Sequence, residues 1–213
     1  FDYTATLSGL SMMPGGIAML MLMPISGFVQ PKYLIMIGMS AVAVGLWHLT
    51  SLSPNAGFSY FTYARIFITV GLPFLFIPIS TAAYVGLPPQ KTNQASALIN
   101  VARNIGGSVG VSLSNTVVAQ NAQLHQTHLI GNTAQSSPVY QQMLRRMTDY
   151  FVAQGSPAVE AKVQAVGWIG QTIGRQATLL AYVDLFRYSA IATALLVPLA
   201  LLLRSPKSSS SAK

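Results

Sequence analysis

Apolar residues fill this chain in long uninterrupted runs, and the polar residues gather between the runs instead of alternating within them. Five apolar segments stand out: Leu7 to Val29, Tyr33 to Leu52, Ala64 to Leu87, Ala97 to Ala119 and Tyr182 to Leu203. The first two hold no Asp, Glu, Lys or Arg, the third holds Arg65 at its edge, the fourth Arg103, and the fifth Asp184 and Arg187 near its start. Each reaches the roughly 20 residues an α-helix needs to cross about 30 Å of hydrocarbon. Period-two alternation is absent, which argues against the strands of a membrane barrel. The predicted class is an all-α membrane protein with five transmembrane helices.

The connections sharpen this outline. Gln30 to Lys32, Ser53 to Thr62 and Pro88 to Gln94 are short, so consecutive helices must run antiparallel. The predicted organisation is four transmembrane helices over 1–119, a long loop over 120–181, a final helix over 182–203, and a disordered tail over 204–213 rich in Ser and Lys. Within the long loop, Tyr140, Leu144, Met147 and Phe151 share one helical face, and Ser137-Pro138 before them suits a helix start. A second stripe, Val159, Val163, Val166, Gly170, Ile173, Ala177 and Leu180, follows Ser156-Pro157 and predicts a helix that runs into the fifth segment. An amphipathic helix lying on the bilayer or bundle and a docking surface for a periplasmic partner are both open readings of this loop.

Composition supports lipid as part of the solvent. Charged residues make up 8% of the 213 positions, where a soluble domain carries about 25%. The net charge is +8, but the bases are scattered singly apart from Arg145-Arg146. Cations at membrane boundaries explain them, and no basic face for nucleic acid remains. Lys32, Lys91, Arg103, Arg204, Lys207 and Lys213 fall on one side of the predicted membrane, with Arg65 near the opposite short loop. The positive-inside rule makes the first side cytoplasmic, carboxyl terminus included, and Trp47, Tyr60, Phe61 and Tyr63 cluster as interfacial anchors on the other. The absence of cysteine excludes disulfides and thiolate metal sites within the chain. The start at Phe1-Asp2-Tyr3 reads as a cut through a longer reading frame.

The fourth segment carries the most chemistry. Asn100, Asn104, Ser108, Ser112 and Asn115 recur along one helical face, with Arg103, Gly107, Gly110 and Ser114 beside them. Polar groups are costly against lipid, so this stripe predicts either a wet cavity or interhelical hydrogen bonding with close glycine packing. Arg103 lies about two turns from the cytoplasmic loop, where it suits a structural or gating anchor. Gly38, Ala41 and Gly45 form a small-residue stripe for close helix approach. Pro73 and Pro78, with Phe74 and Phe76 between them, predict a kinked third helix beside a cavity. Asp184 and Arg187 have the spacing of a local ion pair. His125-x-x-His128 lacks neighbouring ligands to complete a metal site, and no catalytic triad, P-loop or dinucleotide fingerprint is present. No enzymatic chemistry, cofactor or metal is expected.

The run Ala95-Ser96-Ala97-Leu98-Ile99-Asn100-Val101-Ala102-Arg103-Asn104-Ile105-Gly106-Gly107-Ser108-Val109-Gly110 closely resembles the penultimate helix of EmrB/QacA-type drug:proton antiporters, fourteen-helix members of the major facilitator superfamily. Ala5 to Gly27, with Pro14-Gly15-Gly16, is similar to their tenth helix, and Leu87-Pro88-Pro89 to the loop before the thirteenth. The resemblance implies helices ten to fourteen, part of the carboxyl-terminal bundle, in the bacterial cytoplasmic membrane. It implies efflux of hydrophobic or amphipathic compounds by alternating access, with the proton gradient as energy source. Asn100, Asn104, Ser108, Ser112 and Phe74 would then line the substrate cavity, while Arg103, Gly106, Gly107, Gly110, Pro73 and Pro78 would serve packing or gating. The implied partners are the lipid bilayer, the missing amino-terminal half, and in two-membrane envelopes a membrane-fusion adaptor and outer-membrane channel. A solute or siderophore exporter of the same superfamily and a non-transporting membrane scaffold are the rival readings. Phe28-Val29-Gln30-Pro31-Lys32 departs from the superfamily's acidic-basic loop motif, and the proton-carrying acids of the amino-terminal half have no counterpart here.

Overall fold

The computed structural model describes residues 5–22, 29–52, 58–84, 87–132 and 137–202. These are helical, with no strand among the described residues: α1 (Ala5–Leu22), α2 (Pro31–His48), α3 (Phe58–Gly71), α4 (Pro73–Tyr84), α5 (Thr92–Asn132), α6 (Pro138–Ala153) and α7 (Ala158–Leu196). Short 3-10 turns follow α2 at Leu49–Ser51, precede α5 at Pro89–Lys91 and extend α7 through Val197–Leu202. The expected disordered tail, Pro24 and Gly27 lie outside the described residues.

Three stretches among the described residues are long and apolar enough to cross a membrane: Pro31–Ser51, Ser59–Ser80 and Ala158–Leu201. The amides and hydroxyls on α5 dilute its apolar character, so it falls outside this set despite its length. It also continues to Asn132, well beyond Ala119, where the apolar run fades.

The chain divides into two compact units. The first comprises Phe1–Val111 with Phe186–Lys213, and the second Ser112–Leu185. In the first, α2 packs against α3 and α4, and α1 against α3. Gly38, Gly45 and Gly71 are buried and set the spacing of this packing. A Cβ on Gly45 would come within 2.8 Å of the Ile68 side chain and 3.0 Å of the Ala64 carbonyl. The small-residue stripe expected at Gly38 and Gly45 thus does what its composition suggests, letting backbones meet.

The third apolar segment is two helices, α3 and α4, parted at Leu72. Proline has no N–H and clashes with the preceding turn, so a helix entering Pro73 must bend. The chain re-forms helix at once: the Leu75 and Phe76 amides donate to the Leu72 carbonyl at 2.9 and 3.0 Å. Pro78 lies inside α4, and both prolines are buried. The helix is thus interrupted just before Pro73, the residue from which a kink is expected.

In the second unit, α6 and α7 form a helical hairpin. Pro138 occupies the first turn of α6, as its fixed φ favours. Ser137 holds the N-cap position in extended backbone, without a side-chain capping bond. The hairpin turns at Gly155, whose φ of 97° suits glycine, and the Ser156 amide closes back on the Phe151 carbonyl at 3.1 Å. Leu144, Ala165 and Ile169 form a buried cluster, flanked by Tyr140, Met147, Phe151 and Ile173. The α6 stripe predicted from spacing is therefore the packed face.

The stripe predicted on α7 needs correction. Val159 and Val163 are 82% and 69% exposed, whereas Ala161, Ala165 and Ala181 are wholly buried and Ala177 nearly so. Only Ile173 and Ala177 of the expected stripe fall among the residues turned inward. Alanine lets another helix come closer than a β-branched side chain does, and singly exposed apolar side chains are ordinary on a protein surface.

Candidate functional site

The polar stripe of α5 rests on four-residue spacing, which returns each residue to nearly the same helical face. Asn100, Asn104, Ser108 and Ser112 are all exposed, as is Asn115. Gly106, Gly107 and Gly110 are exposed too, and a Cβ added at any of them would meet nothing within 4 Å. Val101, Ile105, Val109, Val111 and Leu113 are exposed as well, so over this stretch α5 is open on all sides, its amides, hydroxyls and bare glycines included.

Arg103 anchors one edge of that face to α4. Its guanidinium carbon sits 5.5 Å from the centre of the Phe76 ring, within cation–π range. Its Nη2 donates to the Ser80 Oγ at 3.4 Å, a long bond. Phe76 and Ser80 are four residues apart and share one face of α4, so the two contacts converge on the same cation. The arrangement satisfies a charge without an acid. Pro73 starts the helix that carries both partners, and Pro78 lies between them.

Phe74 sits elsewhere. It is half-buried, and its Cβ lies 2.8 Å from where a Cβ on Gly38 would be, so it packs α4 against α2. The sequence grouped Phe74 with Phe76 by proximity; a helix points such neighbours in different directions. Phe76 is the one that faces Arg103.

An apolar groove of about 430 Å³ opens between α2 and the end of α7 in the same unit, lined by Ala43, Val44, Trp47, Ala190, Ile191, Ala194 and Leu195. It holds no charged group and none of the predicted site residues. A smaller pocket of about 170 Å³ in the second unit lies among Leu129 of α5, Tyr140 of α6 and Trp168 of α7.

Asp184 does not take the Arg187 partner that its spacing predicts; its Oδ2 meets His125 Nε2 of α5 at 2.7 Å. Asn121 Nδ2 donates to the same oxygen at 3.4 Å. Asn121 and His125 are one turn apart on α5. That spacing was the available signal, but nothing local links it to an acid 59 residues further on.

Comparison with known proteins follows the same direction as these features. Over 195 residues the chain is 28% identical to the multidrug export protein EmrB of Escherichia coli, covering 89% of this chain and 36% of that protein. It is 29% identical over 140 residues to the uncharacterized MFS-type transporter YhcA of Bacillus subtilis, covering 64% of this chain and 26% of the relative. It is 27% identical over 184 residues to the colistin resistance protein EmrB of Acinetobacter baumannii, covering 84% and 35%. The chain thus spans about a third of the length of the EmrB proteins it matches. No family model matches it, and no solved structure does.

Proposed function

Since this chain is a relative of the EmrB-type exporters of the major facilitator superfamily, we propose that it is a portion of a proton-coupled multidrug efflux transporter that works by alternating access. Its cargo would be hydrophobic or amphipathic compounds. The observation that carries the reading is the polar stripe along α5. Amides and hydroxyls over several turns of a helix in a membrane protein are too costly to face acyl chains. A water-filled cavity shared with the remainder of the transporter satisfies them and gives an amphipathic cargo both polar partners and flanking apolar surface.

In this reading Asn100, Asn104 and Ser108 line the cavity wall, with Ser112 extending it. Arg103, held by Phe76 and Ser80, acts as a fixed cation at its edge and ties α5 to α4. Gly106, Gly107 and Gly110 give a neighbouring helix room to approach or slide during rocking of two helical bundles. α1, α2, the α3–α4 pair, α5 and the end of α7 serve as membrane crossings, and α6 with the start of α7 forms the periplasmic insertion. The scattered bases support a cytoplasmic carboxyl terminus and insertion in the bacterial inner membrane.

The test is Asn104→Leu in the full-length transporter, with surface expression held equal to wild type. Export of at least one compound in a panel of lipophilic cations should change. Unchanged export of every compound removes Asn104 from the cavity.

A further inference from the structure

Asp184, in the second unit, has a histidine for its partner. Of the described acids, Asp149 and Glu160 are exposed, while Asp184 is half-buried and meets His125 at 2.7 Å. The side chains of His125 and Asp184 are 30% and 27% exposed. The pair is neither closed off nor fully open, and it is sheltered enough for its geometry to matter.

A contact of 2.7 Å between a ring nitrogen and a carboxylate oxygen must contain a hydrogen. With Asp184 ionised, Nε2 donates, and Asn121 donates to the same oxygen. The other ring nitrogen, Nδ1, is then the basic position. A proton taken from solvent by its lone pair turns the imidazole into imidazolium and the hydrogen bond into an ion pair. Discharge returns that proton to solvent, and no other bond forms or breaks. Histidine is the side chain whose ordinary titration falls between about pH 5 and 8.

α5 adds His128, exposed one turn on; α7 adds Tyr182 and Arg187, both exposed; α6 brings Arg145, Arg146, Asp149 and Tyr150, all exposed, and Tyr140, half-buried. None of them forms an ion pair with His125 or Asp184 among the described residues.

We propose that His125 and Asp184 form a proton-binding latch between α5 and α7, tightened when His125 is charged and loosened when it is neutral. Any use of the latch in coupling export to protons rests on the function proposed above; the latch itself does not.

The transporter containing this chain, made cysteine-free elsewhere and held in nanodiscs, would carry spin labels at Leu124→Cys and Leu180→Cys, both exposed sites. Distances between them would be read at pH 5.5 and 8.5. A single short distance at the lower pH and a second, longer one at the higher pH are expected. The ratio of latched to open populations should change roughly five-fold, the difference between a charged and a neutral hydrogen bond. His125→Gln and Asp184→Asn should abolish the pH dependence, and the exchanged pair H125D/D184H should restore it. Identical wild-type distances at both pH values overturn the latch, as does pH dependence that survives in His125→Gln. If those variants misfold, the wild-type comparison still decides. Export of ethidium by the same protein in liposomes separates the two readings. A protein that exports with pH-invariant distances loses the latch alone; one that shows the latch but moves no ethidium loses the export reading alone.

Discussion

Gly38 and Gly71 face each other across α2 and α3 with no room for a side chain on either. A Cβ on Gly38 would lie 2.8 Å from the Gly71 carbonyl oxygen, and a Cβ on Gly71 would lie 2.7 Å from that of Gly38. The obstruction is backbone in both directions, so no rotamer change relieves it. Gly38→Ala should therefore destabilise the protein by about 1–3 kcal/mol, the usual cost of overpacking. Gly106→Ala in the isolated chain, where a Cβ would meet open space, should cost nothing and gain slightly from helix propensity. Thermal unfolding followed by circular dichroism in detergent compares the two, and equal losses would contradict the close approach.

Arg103 and Phe76 should be energetically coupled. A double-mutant cycle with Arg103→Gln and Phe76→Leu should return about 0.5–1 kcal/mol, as befits an exposed cation–π pair. Ser80→Ala should cost less, because its bond to the guanidinium is long at 3.4 Å. A coupling energy of zero would mean that the ring and the cation are neighbours without interacting.

In the α6–α7 hairpin, Leu144→Ala should destabilise by about 2–3 kcal/mol, since it opens a cavity against Ala165 and Ile169. Val159→Thr, on the exposed face of α7, should stay within about 0.5 kcal/mol of wild type. Hydrogen exchange of the α6 amides reads both. Comparable deprotection by the two substitutions would restore the valine stripe as the packed face.

Ser108→Cys offers a direct probe of the α5 stripe, because the chain has no cysteine of its own. In the full-length transporter, made cysteine-free elsewhere, a small membrane-impermeant maleimide should label this position, and a transported lipophilic cation should slow the labelling. A thiol that resists labelling throughout the transport cycle would point to a stripe sealed by neighbouring helices, the arrangement of a scaffold.

Features set by local chemistry were readable from the residues. Spacing found the packed face of α6 from Tyr140 to Phe151, proline placed the break before α4, and the run from Ser156 to Leu203 showed no stop between the hairpin and the last apolar segment. What escaped was decided by partners distant along the chain. Hydrophobicity favoured valines on α7, whereas burial went to Ala161, Ala165, Ala177 and Ala181 because close packing selects small volume. The local spacing of Asp184 and Arg187 suggested a pair, but a helix oriented toward α5 presented the acid to His125. In the candidate site, the polar face of α5 was plain in the sequence. That Phe76, not Phe74, meets Arg103 depended on how α4 is rotated.

The inward face of α7 has one further consequence. Its positions 161, 165, 169, 173, 177 and 181 read Ala, Ala, Ile, Ile, Ala, Ala, so bulk is confined to the middle. A slip of one turn along its axis would drive an isoleucine into a slot shaped for a methyl group. The two isoleucines thus resist a lengthwise slip of α7.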